Sequence, residues 1–135
     1  MSIRVVQLGS PRQANEGVRI GTVRRPPRGV SRKDYARLDY YDVWLPELAP
    51  SAALLQRYRS GSDYARNWKK FMLQYERELG KPPAARVLEL LAVLSRSTNF
   101  SIGCYCVDQE RCHRSTLRAL LEKHGAQVVQ GRRKE

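Results

Sequence analysis

Residues 3–8 place apolar side chains on both alternating faces, which predicts a strand buried on two sides. Gly9-Ser10-Pro11 ends it. Residues 18–23 predict a second strand after a polar loop that contains Gly17. Pro26 and Pro27 then break regular structure, because proline lacks a donor and fixes φ. Residues 31–39 are polar and show no period. Residues 40–45 form a short aromatic run and read as extended. Ser51 is a candidate N-cap for a short helix through Tyr58.

The next helix carries the strongest period in the chain. Tyr64, Trp68, Phe71, Met72, Tyr75 and Leu79 recur at spacings of three and four, with Arg66, Lys69, Lys70 and Arg77 on other faces. Gly80 stands where a left-handed C′ glycine belongs, and Pro82-Pro83 follows. Residues 84–95 predict another helix. Val87, Leu88, Leu90, Leu91, Val93 and Leu94 cover most of its surface, so it is expected to be largely buried. Residues 100–106 then read as a strand. Residues 111–124 read as a helix with Leu117, Leu120 and Leu121 inward, closed by Gly125. Val128 and Val129 suggest a last short strand. This order implies an α/β fold, a small three-layer sandwich with a mainly parallel sheet flanked by helices.

Composition narrows the class. At 135 residues with 41% hydrophobic content, the chain is expected to form one α/β domain over 1–130, with a basic tail at 131–135. No apolar stretch approaches the roughly 18 residues of a membrane span. Residues 1–7 lack the apolar core of a secretory signal, so a cytoplasmic location is expected. Three cysteines, two of them two residues apart, argue against a secreted disulfide framework. Lys and Arg total 25 against 13 Asp and Glu, a formal net charge of +12. Such a surface attracts phosphate, nucleic acid or acidic partners, and it also serves solubility alone.

The chemistry concentrates in one place. All three cysteines and one of the two histidines fall in the run from Cys104 through Tyr105, Cys106, Arg111 and Cys112 to His113 and Arg114. A predicted strand precedes the run and a predicted helix follows it. Three readings compete. In the first, Cys106 or Cys112 is a reactive thiolate beside Arg111 and Arg114, or the helix start cradles an anion. Cys106 to Arg111 has the C-x4-R spacing of a rhodanese-type loop. The loop has no glycine, however, and it carries Asp108 and Glu110, which oppose an anion. In the second, Cys104, Cys106, Cys112 and His113 hold zinc, although C-x-C-x5-C-H is not a familiar ligand spacing and adjacent Cys-His ligands are awkward on a helix. In the third, the cysteines pack in the core and His113 is a hydrogen-bonded core residue. The expectation is that no metal and no cofactor is held.

The run from Cys104 to Ser115, between an apolar strand and an amphipathic helix, resembles the domain of unknown function 488 family. Arg28-Gly29 resembles the Pro-Arg-Gly turn of its YeaO-like branch. The segment from Asp42 to Ser51 looks like that branch's aromatic-to-Pro-Ser junction, and residues 64–75 look like its long helix. The departure lies at Arg25-Pro26-Pro27, where the branch usually carries an aromatic residue. The resemblance covers most of residues 3–125. It implies an α/β sandwich in a cytoplasmic, mostly bacterial family, and it implies no particular activity.

The expected function is to bind a small anionic, phosphate-bearing ligand where strand meets helix, with thiol chemistry as a further step. Cys106, Cys112 and His113 are the candidate catalytic residues. Arg24, Arg28, Arg111 and Arg114 are the candidate anion ligands, the first two because they follow the second strand as Cys106 follows the later one. The alternative is a non-enzymatic nucleic-acid-binding module that uses Arg24, Arg25, Arg28, Arg32, Lys33, Tyr35, Lys69 and Lys70.

Overall fold

The structure is a computed structural model and describes residues 2–59, 64–105 and 113–129. Four strands form one sheet: β1 (Ile3–Gln7), β2 (Val18–Gly21), β3 (Val43–Trp44) and β4 (Phe100–Cys104). Their order across the sheet is β1-β4-β2-β3, and every pairing is parallel. Val128 adds a single parallel bridge beside Ile3, in place of the expected last strand. The helices are α1 (Ala52–Arg59), α2 (Tyr64–Leu79), α3 (Ala84–Leu94) and α4 (His113–Lys123). Short 3-10 turns occupy Arg32–Asp34 and Pro46–Leu48. The fold is α/β, as the hydrophobic pattern predicts.

Alternation along the strands sorts the sheet into two faces. Ile3, Val5, Ile20, Phe100 and Ile102 meet α1 through Leu54, α2 through Phe71, Tyr75 and Leu79, α3 through Leu88 and Leu91, and α4 through Leu117 and Leu121. Each such aliphatic or aromatic burial contributes roughly 1.5–3 kcal/mol, so this core dominates stability. The opposite face presents Arg19, Gly21, Ser101 and Gly103 and is covered by residues 8–17 and 31–42. Its apolar content is smaller, with Leu8, Val23, Tyr41 and Cys104 packed together beside Tyr35 and Tyr40.

A buried ion pair organises that second face. Arg19 and Glu16 are almost wholly buried. Arg19 donates from Nε to Glu16 Oε2 at 2.7 Å and from Nη2 to Glu16 Oε1 at 2.9 Å, while Ser101 Oγ donates to Glu16 Oε2 at 2.8 Å. Arg19 Nη1 donates to the carbonyls of Ser10 and Asp39 at 2.8 and 2.7 Å. Burial alone pushes the Glu16 carboxyl up, but the bonds from Arg19 and Ser101 outweigh it and hold it below its ordinary value. Asp42 is likewise held low, its burial outweighed by Arg12 and by the Arg19 backbone N–H. These bonds fasten the 31–42 segment to the sheet.

Two local expectations are corrected. Gly80 does not adopt a left-handed conformation; its N–H still bonds Glu76 O, and the chain turns at residues 81–83 instead. α3 is only partly covered. Ala84, Leu88, Leu91 and Ala92 make one buried stripe, whereas Leu90 and Val93 are 57% and 60% exposed. An apolar composition on all sides sets how much a helix can bury, not how many neighbours reach it. Ser51 caps α1 as predicted, its Oγ accepting from Leu54 N at 3.1 Å, and Glu78 in turn receives both Ser51 N–H and Oγ–H.

Candidate functional site

β2 and β4 are neighbours, with Gly21 opposite Gly103 near their carboxyl ends. From β2 the chain crosses to the face covered by residues 31–42. The helix that follows β4, α4, packs on the other face. Adjacent parallel strands whose following elements part to opposite faces leave a crevice between them, which is where open α/β sheets bind ligands. Thr22 and Val23 follow β2 at this point, and Cys104 and Tyr105 stand at the end of β4; of the four only Tyr105 is exposed.

His113 and Thr22 bridge it. The Thr22 N–H and hydroxyl both bond Gly103 O, at 2.9 and 3.0 Å, so the Thr22 carbonyl is held in place. His113 Nε2 lies 2.8 Å from that carbonyl oxygen. A carbonyl only accepts, so Nε2 carries the proton, and the basic nitrogen of the neutral ring is Nδ1. Tyr75 stands edge-on to the imidazole, with ring centres 5.6 Å apart, and its hydroxyl donates to Leu48 O. Arg114 follows in the first turn of α4, 2% exposed. A cation at a helix N-terminus is disfavoured by up to ~1 kcal/mol.

The remaining expected ligands are placed differently. Arg24 donates from Nε to Pro50 O at 3.0 Å and from Nη2 to Pro46 O and Ala49 O at 3.0 and 3.1 Å. It clamps the turn that leads into α1. Arg28 is exposed beside Gly29, which has a positive φ of 72°. The loop they share touches the crevice through Arg25, whose carbonyl accepts from Tyr105 Oη at 2.9 Å. Cys106, Arg111 and Cys112 lie outside the described residues. Cys104 is buried among Leu8, Val23 and Tyr41, as the structural reading of that cysteine expects. Among the described residues no group of three or more His, Cys, Asp or Glu could hold a metal ion.

A family model described as the active DUF488-N3 subclade matches residues 3–125. The chain belongs to the DUF488 family. Neither a curated protein nor a solved structure matches it. Among the described residues of this DUF488 protein, no helix is long and apolar enough to cross a membrane.

Sequence reasoning missed one feature of the DUF488 crevice, its aromatic wall. Tyr35 and Tyr41 meet edge-on at 5.2 Å, and Tyr40 and Tyr105 at 6.3 Å. Burial, reinforced by Tyr35, pushes the Tyr41 phenol up to about 12. Burial, then Tyr41, Tyr35 and Tyr40, push Tyr105 up as well. Tyr40 and Tyr41 do stand out in the sequence as an aromatic run. Their approach to residue 105, more than sixty positions away, follows only from the β2–β4 pairing.

Proposed function

We propose that this protein binds a small phosphate-bearing ligand in the crevice between β2 and β4, with Arg114 as the principal cation and His113 as the proton-handling group. The observation that carries this reading is a buried arginine in the first turn of α4, beside a histidine anchored across the crevice at Thr22. The helix start adds N–H groups that suit an anion. Cys106 and Cys112 are the candidate nucleophiles if the site also performs chemistry.

The nucleic-acid reading has less support. Arg32 and Lys33 are exposed on the 31–42 segment, whereas Lys69 and Lys70 are exposed on α2, in the layer on the opposite face of the sheet. Arg24 spends its hydrogen bonds on backbone carbonyls.

Thermal unfolding with increasing inorganic phosphate tests the proposal at constant ionic strength. Phosphate should raise the melting temperature saturably in the wild type and fail to do so in Arg114→Gln, with Arg114→Lys intermediate. No protection of the wild type, or equal protection of all three, would overturn it.

A further inference from the structure

Tyr41 is 4% exposed, and its hydroxyl has no hydrogen-bond partner among the described residues. A buried phenol normally finds one. Its ring lies against Gly21 so closely that a Cβ there would sit 2.4 Å from Tyr41 Cδ2. The phenol therefore stands at the carboxyl end of β2, on the side of the crevice away from α4. Tyr35, Tyr40 and Tyr105 gather around it, and Tyr105 is 37% exposed. An inorganic anion needs no such wall.

We propose that the tyrosine cluster is the ring-binding half of the crevice, so that the ligand is a phosphate ester carrying a planar aromatic ring with a polar edge, as a nucleotide does. This rests on the anion-binding reading above. The ring lies against Tyr40 and Tyr105, and the Tyr41 hydroxyl bonds its polar edge. Tyr41 stays protonated at neutral pH, since its phenol titrates near 12, so it offers a donor as well as an acceptor. Thr22 and Val23 link the two halves: the Thr22 carbonyl holds His113, and Val23 packs with Tyr41.

Calorimetric titration with inorganic phosphate, ribose 5-phosphate, phenyl phosphate and adenosine monophosphate tests this. Adenosine monophosphate should bind at least tenfold more tightly than ribose 5-phosphate, with phenyl phosphate between them. Tyr105→Ala should remove the advantage of both ring-bearing probes over inorganic phosphate and ribose 5-phosphate. Tyr41→Phe should bring adenosine monophosphate down to the level of phenyl phosphate, while the unliganded variant melts no lower than wild type, because an unpartnered hydroxyl is what is removed. If phosphate and ribose 5-phosphate bind but the ring adds nothing, the ring-binding half is overturned and the anion site stands. If Tyr41→Phe leaves the affinity for adenosine monophosphate intact, the role of the hydroxyl is overturned. If no probe binds, both readings fall together.

Discussion

Replacing Glu16 by Gln is the sharpest test of how the second face of the sheet is held. The substitution keeps the side chain's shape but removes its charge and turns one acceptor oxygen into a donor. Arg19 then faces an amide where it made two bonds of 2.7 and 2.9 Å to a carboxylate, in a site neither residue exposes to water. Removing one partner of a buried pair costs roughly 3–5 kcal/mol. Unfolding entropy of about 2.1 cal/mol/K per residue gives about 0.28 kcal/mol/K for 135 residues, so the melting temperature should fall by roughly 11–18 °C. The effect has a pH signature. The carboxyl of Glu16 is held below its ordinary value in the folded protein. Its contribution is therefore full above the ordinary carboxylate range near 4.3 and is lost as pH falls through the lowered value. Urea denaturation of both proteins from pH 7 to pH 3 should show the gap constant above the ordinary carboxylate range and narrowing below it. A gap below about 1 kcal/mol at pH 7, or one that does not narrow at all on acidification to pH 3, would refute this account of the pair. Arg19 also holds the Asp39 carbonyl, two residues before Tyr41, so the variant should weaken the crevice as well.

Other substitutions separate close packing from open surface. Gly103→Ala places a Cβ 2.6 Å from Val6 O and 2.8 Å from Leu8 Cδ2, between paired strands, and should cost ~1–3 kcal/mol in urea denaturation. Leu90→Gln, on the exposed side of α3, should change stability by no more than about 0.5 kcal/mol, against several for a core leucine. If the alternative nucleic-acid reading held, affinity for duplex DNA would fall with salt at a log–log slope near −0.9 per phosphate contacted. The separation of Arg32 and Lys33 from Lys69 and Lys70 predicts instead weak binding with a slope of about two contacts or fewer, read by fluorescence anisotropy.

The parts of this fold legible in the sequence are those set by local periodicity. α2 follows from Trp68, Phe71, Met72, Tyr75 and Leu79 at helical spacing, and β1 and β4 from short apolar runs bounded by turns. The strand order was not legible, because placing β4 between β1 and β2 depends on pairings across more than eighty residues. For the same reason Tyr105 could not be assigned to a cluster with Tyr35, Tyr40 and Tyr41. Glu16 and Arg19 look like ordinary loop charges, since a charged residue's burial depends on what folds over it. Within the candidate site, the strand-then-helix pattern around His113 and Arg114 was legible, and α4 does follow β4 there. Arg24 pointed there only through its position after β2, and its carbonyl partners at Pro46, Ala49 and Pro50 lie in a turn whose approach no spacing encodes.

The central claim is that the crevice between β2 and β4 takes an anion at the start of α4. Backbone amide spectra of labelled protein titrated with inorganic phosphate test it most directly. The account predicts saturable shifts confined to Thr22, Val23, Cys104, Tyr105 and residues 113–116. Shifts spread over Arg32, Lys33, Lys69 and Lys70 with those amides silent, or no shifts at all, would contradict it.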